Sequence, residues 1–217
     1  MAKTVKEFYE NFDFERVITN PPQLIQEFLD GEIEFINKHI KPNKEILEIG
    51  CGYGRLLKLL SKSSERVWGI DFSRTLLKKA KENLKNYNNI GILEMNATNL
   101  KFNQESFDYC LCLDASFGNM PKIEIDVLRE MKKVTKKGGE IIISVFSENA
   151  KDFQIKNYER IGLTNIQDDG IAVTTSEGMY SRRFSKEDLI NLFRDIGMEC
   201  NIIKICPINY IAIAKKD

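Results

Sequence analysis

The chain has 217 residues, 42% of them hydrophobic, with 32 basic side chains against 32 acidic ones, the composition of an ordinary globular chain. Zero net charge and a pI near 6.6 leave no global positive field for a polyanion or an acidic membrane surface. One histidine and five cysteines, none in a Cys-x-x-Cys pair, exclude most zinc sites and His-based triads, so no metal is expected.

In chain order, the first 40 or so residues read as a helical cap, with Pro21-Pro22 opening an apolar stripe of Leu24, Ile25, Phe28 and Leu29. Phe8, Tyr9, Phe12 and Phe14 either close over a ligand or form a satellite cluster. Five short apolar runs follow, Glu45 to Ile49, Arg66 to Ile70, Gly91 to Met95, Phe107 to Leu113 and Glu140 to Phe146. Their near-continuous apolar character predicts parallel strands covered on both faces.

Amphipathic runs lie between them. Ser73 caps a helix whose stripe is Leu76, Leu77, Ala80 and Leu84, with the neighbouring lysines turned to water. A second helix runs from about Ile123 to Val134, with Lys136-Lys137-Gly138-Gly139 as its basic end and glycine stop. Ser185 to Asp188 forms a capping box for a third, which Gly197 ends. The final runs, Asn201 to Cys206 and Asn209 to Ala214, leave no room for a crossover and predict an antiparallel pair.

This alternation predicts one domain over 1–217: an α/β, Rossmann-like, seven-stranded, mostly parallel sheet with helices on both faces and a terminal antiparallel hairpin. The stretch from Ser147 to Phe184 interrupts the pattern, as a lid or substrate segment would. Within it, Ile161 to Ile166 and Ile171 to Thr175 read as strands around a turn at Asp168-Asp169-Gly170. No apolar run reaches the roughly 20 residues of a membrane span. The start of the chain lacks the apolar stretch of a secretion signal, so a cytoplasmic chain with reduced thiols is expected.

The most informative segment is Glu48-Ile49-Gly50-Cys51-Gly52-Tyr53-Gly54, where a strand runs into a glycine-rich turn and a helix. In an open α/β sheet such a turn lies where ligands bind. A dinucleotide fingerprint would need a glycine where Arg55 stands, and no Gly-Lys-Ser/Thr ending marks a P-loop. An acid two residues ahead of the first glycine repels a pyrophosphate and suits a cationic ligand.

At these residues the chain resembles the class I S-adenosylmethionine-dependent methyltransferases, whose first motif has this Glu-x-Gly-x-Gly-x-Gly form. The resemblance implies S-adenosylmethionine as cofactor, with Glu48, Gly50, Cys51, Gly52 and Gly54 at the first motif. It implies Asp71 at the ribose hydroxyls, Phe72 near the adenine, and Asn96-Ala97 at the adenine amino group, where the family usually has Asp. Asp114, after the fourth strand, is either a residue of the donor site or an ordinary loop acid. The matching segments run from about residue 40 to 146.

The superfamily has no fixed catalytic residue to carry over, so the methyl acceptor is sought in the divergent parts. Adenine methyltransferases resemble one another in an Asp/Asn-Pro-Pro-aromatic motif; that slot here reads Asp114-Ala115-Ser116-Phe117. The insertion offers Phe153, Tyr158, Met179, Tyr180 and Phe184 as apolar surface, and Arg182 and Arg183 as partners for an acceptor carboxylate or phosphate, or else as solvated charges. The leading expectation is methyl transfer to a small-molecule acceptor by a monomer or homodimer, with nucleic acid and membrane disfavoured. The alternatives are an RNA or protein methyltransferase and a cofactor-binding regulator without turnover. Cys51, Cys110 and Cys112 read as packing residues, and His39 as surface or interhelical.

Overall fold

The computed structural model describes residues 4–13 and 15–217, so Phe14 lies outside the described residues. Three helices open the chain: α1 Val5–Asn11, α2 Glu15–Ile18 and α3 Gln23–His39. Pro22 stands at the N-cap of α3, where a missing amide hydrogen costs little.

The sheet then begins: β1 Glu45–Ile49, α4 Arg55–Leu60, β2 Arg66–Asp71, α5 Arg74–Asn83, β3 Ile90–Glu94 and β4 Phe107–Cys112. After a 3-10 turn at Ser116–Asn119 come α6 Glu124–Val134 and β5 Thr135–Ser147. The insertion contributes α7 Lys151–Arg160, β6 Gln167–Asp168, β7 Ala172–Thr174 and β8 Tyr180–Phe184. The chain closes with α8 Lys186–Asp195, β9 Asn201–Ile203 and β10 Asn209–Lys215.

Seven strands run in the order β3-β2-β1-β4-β5-β10-β9. The first five are mutually parallel, while β10 lies antiparallel between β5 and β9. One apolar layer sets Ile36 of α3 and Ile40 at its C-cap, Leu56, Leu57 and Leu60 of α4 and Leu77 of α5 against one face of the sheet. The other sets Val127, Leu128 and Met131 of α6 and Leu189 and Phe193 of α8 against the opposite face. Both faces of β1, β2, β4 and β5 are thus largely buried, while β3, at the sheet edge, is half-exposed.

Three local readings are corrected. Lys136 to Gly139 do not end a helix; α6 stops at Val134 and these residues open β5. Lys136 is drawn there by an ion pair to Asp108 at 2.9 Å, and a register shift between Phe107 and Tyr109 on β4 accommodates the left-handed Gly138. Ile161 to Ile166 do not form a strand, because Gly162, at φ +87°, turns the chain out of α7. The insertion also contains more regular structure than its pattern suggests. Helix α7 is present, and β8 continues the sheet by pairing in parallel with the end of β5, Phe146 opposite Arg183. The turn at 168–170 between β6 and β7 is found where expected, with Asp169 Oδ1 accepting from the amides of Ile171 and Ala172.

Candidate functional site

A cavity opens at the carboxyl ends of β1, β2 and β4. Its floor comes from the glycine turn and strand ends: Glu48, Gly50, Gly52, Asp71, Phe72 and Asp114. The N-terminal helices cover it with Tyr9, Ile18, Ile25 and Phe28, and the insertion closes it with Asn157, Tyr158 and Met179.

The glycine turn is shaped by position. Gly54 is left-handed at φ +87°, and a Cβ there would come within 2.5 Å of Leu84 Cδ1, so this glycine lets α4 start against α5. Gly52 is also left-handed at φ +52°, but a Cβ would meet nothing within 4 Å. Its backbone therefore faces open space on the cavity wall, where a ligand can lie against the chain.

Asp71 closes the turn from β2. One carboxylate oxygen accepts from the Gly52 amide at 3.0 Å and the other from the Ser73 amide at 2.9 Å, leaving lone pairs on both for further donors. Burial raises its pKa against the pull of those amides. Phe72 packs edge-on against Tyr9 with ring centroids 5.6 Å apart, so α1 covers the ring expected near an adenine.

Beneath the floor lies a charged cluster. Glu48 is buried, and its Oε2 has no hydrogen-bond partner among the described residues. Burial pushes its pKa up to about 8, with Asp114, Glu32 and Asp71 adding repulsion against the opposing Arg55. Arg55 lies 3.1 Å from Asp114 and 3.6 Å from Glu32. Glu32 is fully buried on α3 and accepts from the Ser144 hydroxyl and, at 2.9 Å, from the Asp114 amide. Asp114 and Ala115 are both left-handed at φ +55°, a conformation that costs a non-glycine residue energy and needs such anchoring.

Of the residues singled out in the sequence, Glu48, Gly50, Cys51, Gly52, Asp71, Phe72 and Asp114 converge on this cavity. Gly54 stands behind it as the N-cap of α4. Asn96 and Ala97 are not among its lining residues, and the Asn96 carbonyl already accepts from the Thr98 amide and hydroxyl at 2.9 and 3.0 Å.

None of Tyr180, Arg182 and Arg183, expected at the acceptor, lines the cavity. Arg182 is paired with Glu124 at 2.9 Å, and Arg183 is buried against Asp168 at 2.7 Å. Cys51, Cys110 and Cys112 are buried with thiol pKa values raised by desolvation, which keeps them protonated. His39 pairs with Glu140 at 2.6 Å on the flank of the sheet.

Sequence reasoning passed over Glu32, Arg55 and Asn119, the last two of which line the cavity. A signal existed for Glu32, an acid standing between Phe28 and Ile36 on the apolar stripe of α3.

Residues 46–139 match the family described as a methyltransferase domain. The demethylmenaquinone methyltransferase of Staphylococcus haemolyticus is 36% identical over 107 residues, 48% of this chain and 44% of that protein. Its namesake in Bacillus subtilis is 28% identical over 143 residues, 63% of this chain and 59% of that protein. The chain thus spans about half the length of the curated relatives it matches. Among solved structures, the PH0226 protein of Pyrococcus horikoshii superposes with a TM-score of 0.75 at 20% identity, over 98% of this chain and 99% of that one. A SAM-dependent methyltransferase of Methanosarcina mazei gives 0.65 at 22% identity, over 84% and 96%. At these identities the superpositions concern the fold.

Proposed function

We propose that the chain is a class I S-adenosylmethionine-dependent methyltransferase that transfers a methyl group to a small-molecule acceptor, a reading supported by the match of residues 46–139 to a methyltransferase domain and by the sheet order. The observation that carries this reading is the convergence of Glu48, Asp71 and Asp114 with the open Gly52 backbone in one covered cavity. Three carboxylates are poor company for a pyrophosphate and good company for a sulfonium and an ammonium.

When bound, the donor supplies an electrophilic methyl group on a positively charged sulfur. Asp71 keeps lone pairs for ribose hydroxyls, and Phe72 gives an aromatic face beside it. Asp114, held in place by Glu32, offers negative charge to the cationic end, and Glu48, whose orphaned oxygen is paired by no described residue, adds a second charge on giving up its proton there. Helices α1 to α3 and the insertion exclude water from the reacting centre, which an in-line displacement requires.

The cover is mostly apolar, with Val17, Ile18, Ile25, Phe28, Leu29 and Met179 on its inner side. That surface suits a compact, largely apolar acceptor better than a polymer. The relatives named demethylmenaquinone methyltransferases support a small-molecule acceptor too.

Calorimetry with S-adenosylmethionine tests the cofactor assignment. Wild type should bind, and Asp71→Ala should weaken binding roughly 100-fold, as expected for the loss of two hydrogen bonds to a carboxylate at about 1.5 kcal/mol each. No binding by wild type, or equal binding by the variant, refutes the reading. Turnover against a panel of small acceptors then separates an enzyme from a binding protein.

A further inference from the structure

The insertion side of the cavity carries polar groups for which the donor site has no use. Asn157 and Tyr158, adjacent on α7 and both buried, line the cavity opposite the strand ends. Their hydrogen-bond partners decide which of their atoms face it.

Arg183 donates from Nη1 to Gln154 Oε1 at 2.8 Å. A carboxamide whose oxygen is taken offers its N–H2 to the next partner, and Gln154 Nε2 donates to Ser181 Oγ at 3.0 Å. The Ser181 and Tyr158 hydroxyls lie 2.8 Å apart, and either one can donate. Among the described residues Ser181 Oγ has hydrogen-bond contacts with Gln154 and Tyr158 alone.

If the phenol donated, the hydrogen of the buried Ser181 would be stranded, at a cost of about 1–3 kcal/mol. If Ser181 donates, its hydrogen is paired with the phenol oxygen and the phenol hydrogen is free for the cavity. The network then runs one way, from a guanidinium anchored on Asp168 at 2.7 Å to the O–H of Tyr158. Such a chain of aligned donors is mutually polarised.

Asn157 repeats the pattern. Its Oδ1 accepts from Arg160 Nε and Nη2, each at 3.1 Å, and its N–H2 makes no hydrogen bond among the described residues. The two sides of the cavity therefore differ in sense. The strand ends present carboxylates, and α7 presents an O–H and an N–H.

We propose that Asn157 and Tyr158 form a donor pair for an ionised oxygen of the methyl acceptor, so that the acceptors are phenols or enols. The proposal rests on the methyltransferase reading above. In the transfer, the electron pair of the oxyanion, delivered at oxygen or at a carbon conjugated with it, forms the bond to the methyl carbon. The methyl–sulfur bond breaks and its pair returns to sulfur, so the anionic and cationic charges disappear together. The acceptor's O–H proton has left to solvent beforehand; attack at carbon is followed by loss of that carbon's proton to solvent. Two donors on one side and a sulfonium on the other favour the ionised acceptor electrostatically.

The test uses the full chain loaded with sinefungin, a non-reactive donor analogue carrying an ammonium in place of the sulfonium, and 4-nitrophenol as a chromophoric probe. Wild type should bind the probe as its phenolate, lowering the probe's apparent pKa by about one unit, a tenfold preference for the anion. The neutral isostere 4-nitroaniline should bind about tenfold more weakly. Tyr158→Phe keeps the ring, and Asn157→Asp keeps the contact with Arg160. Each should abolish the shift in the probe's ionisation while leaving sinefungin affinity within about twofold.

Failure of sinefungin to bind wild type overturns the methyltransferase reading and this proposal with it. Sinefungin binding without probe binding, with the probe bound neutral, with equal affinity for the aniline, or with unaltered variants overturns the donor pair alone.

Discussion

The strand-end side of the cavity and its cover are built on opposite plans. On the strand ends, Glu48 and Asp71 are placed by the local chain: a strand ends, a glycine turn follows, and the carboxylates arrive at fixed distances along the sequence. In the cover, Tyr158 is placed by a partner far away in sequence, Ser181, which Gln154 and Arg183 hold in turn, while Asn157 is fixed by Arg160 on its own helix. The first plan concentrates acidic groups around a single arginine, and the second pairs its charges internally and shows donors. A cavity with both halves can hold a cation against one wall and an anion against the other, which neither half could do alone.

The joint between the halves is where the comparison breaks most easily. Phe117, in the turn after β4, is fully buried with its ring centroid 5.9 Å from that of Phe184 at the end of β8. Phe117→Ala should cost about 3–5 kcal/mol in urea unfolding, the usual loss for a buried aromatic. If the two halves depend on one another, the transition stays single. A separate early transition confined to the insertion would show that the cover folds independently.

The acid cluster gives the next largest effect, through pH. Burial raises Glu48 from an ordinary 4.5 to about 8 and raises Glu32 as well. Between pH 5 and 8 the unfolded chain has released protons that the folded chain still holds on these groups. Stability of the ligand-free protein should therefore fall as pH rises, by about 1.4 kcal/mol per pH unit for each group that stays protonated. Asp108 acts in the opposite sense: although burial opposes it, Lys136, Lys44 and the Glu45 amide lower its pKa, so its contribution is lost as pH falls. Glu48→Gln should flatten the decline in melting temperature across that window. A melting temperature that rises with pH there would mean that the cluster is ionised in the free protein. Calorimetry in buffers of different ionisation enthalpy should also detect proton release when the cationic donor binds.

The same contrast governs what could be read from the sequence. The strands β1 to β5, the caps at Ser73 and Ser185 and the cluster of Glu48, Gly52 and Asp71 depend on period and spacing, which are local properties. Asp71 is legible because strand, acid and cap follow one another between Arg66 and Ser73. The partners of Arg182 and Arg183 are not legible, because charge in an insertion looks the same whether it faces solvent or a buried carboxylate. Only the fold brings Glu124 to the first and Asp168 to the second. Likewise Tyr158 was visible as an aromatic residue, but its orientation is fixed by Ser181, 23 residues away.

The smallest effect concerns a hydroxyl that serves both halves. Ser73, fully buried, accepts from the Leu76 amide at 3.3 Å as the N-cap of α5 and donates to the Tyr9 carbonyl of α1 at 3.0 Å. Ser73→Ala removes both bonds, and loss of the cap should cost about 1 kcal/mol. Helix α1 retains a second attachment, because the Glu10 carboxylate accepts from the amides of Arg74 and Thr75 at 3.0 and 3.2 Å and from the Thr75 hydroxyl at 2.9 Å. Hydrogen exchange in Ser73→Ala should therefore quicken at Leu76 with little change in α1. Glu10→Ala should do the reverse, freeing α1 while Leu76 stays protected. If both variants loosen α1 equally, the strand-end side and its cover share one cooperative unit even at their edge, and the division between them is one of chemistry alone.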